Sequence, residues 1–370
     1  MPHNVDMQAF SGPPLTWDIF CHVIDNWGDM GVCWRLANNL ASRGHKARLW
    51  ADDLRPLVWM APGATEGAFT GIEVREWPRA DVTAAPPGIS PGDVLIEAFG
   101  CEISPAWVKA LHPASQADQA QRVWLNLEYL SAEPYVERCH RLASPVMSGP
   151  LAGRTKWFFY PGFTPATGGL LREPDLLAQQ ERFDRDAWLA QQNIVIPSDA
   201  LQITLFCYEP PALSELLQQP ALQYAHWLVA PGRAQAAMDS CWGGNLTAKR
   251  LALPHLPQTE FDHLLWASDL NLVRGEDSLV RALWAGQPFV WQIYPQDDDA
   301  HHLKLEAFLD WLKAPESLRA FHRVWNGVVD APLPIPDLPL WRECIQAARE
   351  CLLAQEDLAT QLFHFVMEKR

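Results

Sequence analysis

The feature that most constrains this chain is an alternation that runs, stops and starts again. Apolar segments of strand length stand at 17–24 ("WDIFCHVI"), 45–51 ("HKARLWA"), 72–77 ("IEVREW"), 92–99 ("GDVLIEAF") and within 121–130 ("QRVWLNLEYL"). Helical periodicity separates them, at 28–44 with Gly44 as its terminator and at 104–113 from Ser104. The pattern breaks over 170–184, where "LLREPDLLAQQERFD" is more polar and shows no strand. It resumes with strands expected in "LQITLFCY", "AHWLVA", "DLNLV" and "QPFVWQI", separated by helices in "ALSELLQQ", "FDHLLWAS" and "EDSLVRALWAG". Past residue 300 the chain reads as helical. Such alternation implies two Rossmann-like α/β domains facing a central cleft, with ligands at the carboxyl ends of the strands. The expected division is a loose tail over 1–16, an N-terminal domain over 17–180 and a C-terminal domain over 181–354. The helix over 355–370 is expected to pack back on the N-terminal domain.

Bulk properties narrow the partners. At 370 residues the chain exceeds one average domain, and 48% apolar with 20% charged residues is the composition of a packed soluble protein. A net charge of −15 without a Lys/Arg cluster argues against nucleic acid and anionic membranes as partners. No apolar run approaches the roughly 18 residues of a membrane span, and the first residues lack the character of a signal peptide. Eight scattered cysteines without a CxxC pair read as small buried hydrophobes in a reducing, cytoplasmic setting. "PQDDDAHH" (295–302) carries metal-capable groups but reads as a solvated loop or helix start, and His301 and His302 belong to no metal-binding spacing, so no metal site is expected.

Two stretches carry chemistry. "VIDNWGDMG" (23–31) joins the first strand to its helix without GxGxxG spacing, which disfavours a dinucleotide site. Asp25 and Asp29 lie four apart, on one face of a helical turn. Either they close the strand and cap the helix, or one is a general base at a strand end. "RGEDS" (274–278) turns a strand into a helix, with Gly275 permitting the tight turn and free N–H groups suited to a diphosphate. Glu276 and Asp277 either complement the helix dipole, with Ser278 an ordinary first-turn residue, or face sugar hydroxyls or cations while phosphate occupies the helix end. The second case asks for an anionic, hydroxyl-rich ligand such as a nucleotide sugar. Phe206 and Tyr208 would then pack its base or sugar, and "PHLPQ" (254–258) would meet the base edge with Gln258. Strand-end aromatics are more often core.

"WDIFCHVIDNWGDMGVCWRLA", "IEAFGCE", "WLNLEYLSAE", "FFYPGFTPATGGLLRE", "LFCYE" and "LPQTEFDHLLWASDLNLVRGEDSLVRALWAGQPFVWQIYPQDD" occur in collinear order between about residues 17 and 310. Together they resemble the EarP family of protein-arginine rhamnosyltransferases. The resemblance implies a GT-B fold and a metal-independent, inverting transfer of L-rhamnose from dTDP-β-L-rhamnose to an arginine of translation elongation factor P, without a cofactor. It implies an N-terminal half that receives the protein acceptor and a C-terminal half that holds the donor. It assigns Asp29 as the base, Asp25 as its companion and Glu276 as important for activity. Donor contacts fall on Asn26, Trp27, Gly28, Phe206, Tyr208, Leu256, Pro257, Gln258, Arg274, Gly275, Asp277 and Ser278. Two positions depart from the family pattern, Gln292 for an expected His and Leu279 for Phe, and both are expected to bear on packing near the site. Rival readings are a GT-B enzyme with another nucleotide sugar or a non-protein acceptor, and a non-catalytic scaffold; Asp25, Asp29 and Glu276 together argue against the last.

Overall fold

The computed structural model describes residues 13–23, 27–77, 88–111, 122–243, 247–296 and 300–370. The chain forms two compact units, one of residues up to Leu176 together with Gln355–Arg370, the other of Leu177–Ala354. The division falls within the helix Leu176–Arg182, in the polar stretch where the strand alternation breaks.

The first unit is built on seven strands: β1 Thr16–Cys21, β2 Lys46–Ala51, β3 Ile72–Glu76, β4 Val94–Ala98, β5 Val123–Leu127, β6 Ala143–Pro145 and β7 Thr155–Phe159. Their order is β3-β2-β1-β4-β5-β7-β6, parallel except where β6 meets β7. β4 and β5 are buried throughout, as expected of strands covered on both faces. Strand order reverses direction between β1 and β4, so the chain leaving them diverges and opens a crevice at their carboxyl ends. The last helix, Leu358–Lys369, contributes Leu358, Leu362, Phe365 and Val366 to the core beside β1 and the helix Gly28–Ser42. Asp357 caps it by accepting from Thr360 N at 3.1 Å, and Arg43 Nη2 donates to the same carboxylate at 2.8 Å. The returning chain is therefore fixed by a cap, an ion pair and apolar burial.

The second unit holds β8 Gln202–Leu205, β9 His226–Val229, β10 Lys249–Ala252, β11 Leu270–Arg274 and β12 Phe289–Gln292, all parallel in the order β10-β9-β8-β11-β12. Its switch point lies between β8 and β11. The helices Gln258–Ala267 and Gly275–Ala285 are joined by a buried bidentate pair, Arg281 Nε and Nη2 each donating to Asp262 at 2.9 Å. Charge alone would make this pair costly to bury; satisfied geometry makes it a fixed strut.

β12 is an edge strand whose outward backbone groups are met by side chains of the adjoining helix Glu316–Trp325 and the residue that ends it. His322 Nε2 accepts from Trp291 N at 3.0 Å, while Asn326 accepts from Ile293 N at 2.9 Å and donates to Trp291 O at 3.0 Å. His322 Nδ1 donates in turn to Leu318 O at 2.9 Å, which leaves Nε2 as the acceptor. Burial holds this imidazole neutral, pushing its pKa down from 6.5 to about 4.

Several elements were not legible as periodicity. β10 is exposed at all four residues, and β6 is three exposed residues completing a sheet edge. Of the cysteines, Cys21, Cys33, Cys101 and Cys207 are buried, whereas Cys351 is exposed, a departure from the uniform expectation.

His322 yields a prediction. The unfolded chain takes up its proton near 6.5 and the folded one only near 4, so stability is intact above 6.5 and falls as pH drops toward 4. Urea unfolding of the unit containing His322 should lose on the order of 2 kcal/mol between neutral pH and about pH 5 from this residue alone. His322→Gln should flatten that slope, and an unchanged slope would contradict the role.

Candidate active site

The described residues that the sequence singles out follow strand ends in both sheets. In the first unit β1 ends at Cys21; Asp25 and Asn26 lie outside the described residues. The strand end is anchored by Asp52, which follows β2. Asp52 accepts from Val23 N at 2.7 Å and pairs with His22 Nδ1 at 2.7 Å. Trp27 is the N-cap of the helix Gly28–Ser42 and makes no side-chain cap bond, so Asp29 is not the cap. Asp29 sits in the first turn, half-buried, where Tyr129 Oη donates to its Oδ2 at 3.2 Å. Tyr129 follows β5, and the ring of Phe99, which follows β4, lies 5.0 Å from the Tyr129 ring. Phe99 holds this position with φ of 56°, in the left-handed region that non-glycine residues rarely adopt. Trp27 is 45% exposed, edge-on to Trp59 at 5.5 Å, and Gly28 has open space where a Cβ would stand.

Beneath this rim lies a buried acid. Glu97, in β4, is 1% exposed, pairs with Lys156 of β7 and accepts from Ile103 N at 3.2 Å. Desolvation pushes its pKa up despite the lysine.

In the second unit Phe206 and Tyr208 leave β8, and Arg274 ends β11. The Arg274 guanidinium carbon stands 4.6 Å from the ring centroid of Phe206 and 4.6 Å from that of Tyr208. Its Nη1 donates to Cys207 O at 3.2 Å, and among the described residues it has no carboxylate partner. Burial accordingly lowers its pKa. Gly275 follows with φ of 71°, which turns the chain into the helix Gly275–Ala285 and explains the glycine. Arg274 is the N-cap without a side-chain cap bond, so the first N–H groups of that helix gain nothing from it.

Neighbouring groups hold this turn in place. Trp291 Nε1 donates to Gly275 O at 2.9 Å, and Gln292 Oε1 accepts from Tyr208 N at 2.8 Å. Gln292 thus supports a site residue directly, which is more than general packing; Leu279 is buried in its helix as packing. Glu276 meets Lys304 Nζ at 2.5 Å, Asp277 is half-buried and Ser278 buried. A cation does take one of the two carboxylates, though it belongs to the protein. Pro257 is the N-cap of the helix Gln258–Ala267, Gln258 is buried, and Leu256 packs partly buried beside Leu253 and Leu264. Phe261 of that helix meets the Phe206 ring at 5.4 Å. Burial raises the Tyr208 phenol to about 12, so it stays protonated as a donor.

Tyr129, Lys304 and Arg233, whose guanidinium also lies over Tyr208 at 4.7 Å, escaped sequence reasoning, and Gln292 was read only as a departure near the site. Each reaches its partner from a distant segment; Tyr129 and Gln292 stood in quoted motifs. Asp297, Asp298 and Asp299 lie outside the described residues. His301 is buried, its Nδ1 accepting from Gln296 N at 3.1 Å. Among the described residues no group of three His, Cys, Asp or Glu side chains is arranged to hold a metal ion. No described helix is long and apolar enough to cross a membrane.

Comparison with known proteins places this geometry. Residues 17–367 match the family described as Elongation-Factor P (EF-P) rhamnosyltransferase EarP. A protein-arginine rhamnosyltransferase of Pseudomonas putida is 43% identical over 391 residues, covering 95% of this chain and 98% of its own. A solved structure on the structural basis for EarP-mediated arginine glycosylation of translation elongation factor EF-P is 31% identical. It superposes with a TM-score of 0.61 over 96% of this chain and 99% of its own. A kitacinnamycin glycotransferase, 15% identical, shares the fold with a TM-score of 0.52 over 97% of this chain and 100% of its own. With two parallel α/β sheets, this is the GT-B glycosyltransferase fold.

The Gln292 contact is testable by stability. Gln292→Leu leaves the Tyr208 N–H buried without an acceptor, at about 1–3 kcal/mol. Gln292→His keeps an acceptor there and should lose less than half as much in urea unfolding. Equal losses would contradict the hydrogen bond's role.

Proposed function

The chain belongs to the EarP family of elongation factor P arginine rhamnosyltransferases, and we propose that it uses dTDP-β-L-rhamnose and inverts the anomeric centre. In this reading the C-terminal unit holds the donor. The observation that carries it is Arg274, a half-buried cation with no carboxylate among the described residues, set at the start of the helix Gly275–Ala285. Helix N–H groups and a guanidinium together suit a diphosphate, and they favour it more as charge builds on the leaving group. Phe206, Tyr208 and the turn Leu256–Gln258 take the nucleoside, while Glu276, Asp277 and Ser278 lie toward the sugar.

The N-terminal unit handles the acceptor. A guanidinium stays protonated with a pKa above about 12, so it is a poor nucleophile and is not simply deprotonated by a carboxylate in water. Asp29, with Asp25 as companion, grips it through charge-assisted hydrogen bonds and aims one nitrogen at the anomeric carbon. The C–N bond forms as the C–O bond to the diphosphate breaks, the departing electrons go to dTDP, and Asp29 accepts the proton. Attack from the side opposite the leaving group converts the β donor into an α-rhamnosyl arginine. Asn26, Trp27 and Gly28 are assigned to donor contacts in the same reading. Translation supplies the acceptor, so we place the reaction in the cytoplasm.

Incubation with dTDP-β-L-rhamnose and elongation factor P should add one deoxyhexose to a single arginine, read by mass spectrometry, with an α linkage by NMR. Asp29→Asn should lower kcat by about 10²–10⁴. A folded enzyme that fails with this donor, or Asp29→Asn with near-normal turnover, would sink the assignment concerned.

A further inference from the structure

Around Tyr208 the second unit gathers more positive charge than the reading above uses. Arg233 opens the helix Arg233–Cys241, which follows β9, and its guanidinium carbon lies 4.7 Å from the Tyr208 ring centroid. Arg274 lies 4.6 Å from the same centroid. Two cations sharing one ring repel each other, an arrangement that survives when something anionic is present. Glu209, the residue after Tyr208, answers one of them: Arg233 Nε donates to its Oε1 at 2.8 Å and Nη2 meets its Oε2. Arg274 donates to the Cys207 carbonyl and packs on the two rings; among the described residues no carboxylate is hydrogen-bonded to it, and Glu209 acts on it through space. The Tyr208 hydroxyl points toward this region too, 3.8 Å from where a Cβ on Gly275 would stand. One carboxylate thus serves two guanidinium groups near the start of the helix Gly275–Ala285.

The Arg233–Glu209 pair is also easy to give up. Its side chains are 46% and 55% exposed, and exposed pairs of this kind contribute little to stability. Glu209 can swing into water, while Arg233 keeps its place over the ring. The planar fork of Arg233 then fits two phosphate oxygens as it now fits two carboxylate oxygens. We propose that Arg233 is a second ligand of the donor diphosphate, held by Glu209 until the phosphates take over. This rests on the donor being a nucleoside-diphosphate sugar bound by the second unit.

The test compares dTDP with dTMP by calorimetry on the full chain, since the two differ only in the second phosphate. Arg233→Gln should shrink the affinity advantage of dTDP over dTMP at least roughly fivefold, with dTMP binding little changed. Glu209→Gln removes the competing carboxylate and should leave dTDP binding as tight or tighter, whereas a pair that is merely structural would weaken alike from either side. An unchanged dTDP advantage in Arg233→Gln, or equal weakening by Glu209→Gln, overturns the proposal while leaving the donor assignment standing. Failure of the natural chain to bind dTDP would overturn both.

Discussion

A guanidinium placed against two aromatic rings, with no carboxylate hydrogen-bonded to it among the described residues, is the interaction around which the C-terminal unit is arranged. Arg274 lies half-buried against Phe206 and Tyr208, and desolvation disfavours its charge. That arrangement persists because its surroundings leave it little choice. Gly275 supplies the positive φ that turns the chain, Trp291 ties down the Gly275 carbonyl and Gln292 ties down Tyr208. β12 can lend both residues because His322 and Asn326 satisfy its outer edge. A neutral histidine in the helix Glu316–Trp325 thus supports a strand, the strand supports a turn, and the turn presents a cation.

Five strands of the N-terminal unit, β3-β2-β1-β4-β5, repeat the strand order of the other sheet, with charge of the opposite sign at the switch point. Its switch point offers a carboxylate, Asp29, steadied by Tyr129, where the other unit offers cations. Opposite signs suit the two reactants of arginine glycosylation. The acceptor arrives as a cation that must be gripped and relieved of a proton, and the leaving group departs as an anion that must be stabilised. Fold alone does not specify this chemistry, since other proteins carry the same architecture; in the proposed reading the few residues on the strand ends do.

Much of this was legible in the sequence, for reasons that can be named. Strands such as "DLNLV" and the helix after "RGEDS" are read from apolar runs and a glycine, which are local signals, and the structure places both where expected. The capping reading of Asp29 is removed by a backbone fact, namely that Trp27 occupies the cap position, while its part in the chemistry is a proposal. What escaped reading is the set of partners that arrive through space. Lys304 reaches Glu276, Tyr129 reaches Asp29 and Arg233 reaches Tyr208, and no periodicity links their positions. Gln292 looked like a departure in packing because its amide contact with Tyr208 crosses between segments far apart in the chain.

The division of labour between the two switch points is tested most directly by dTDP affinity, measured by calorimetry on two variants. dTDP lacks the sugar, so it reports on the C-terminal unit alone. Asp29→Asn is expected to bind dTDP as the natural sequence does, although its turnover is lost. Arg274→Ala is expected to bind it at least about tenfold more weakly, a loss of roughly 1.4 kcal/mol. Equal affinity in the two variants, or a weakening confined to Asp29→Asn, would contradict the assignment of donor and acceptor to their respective units.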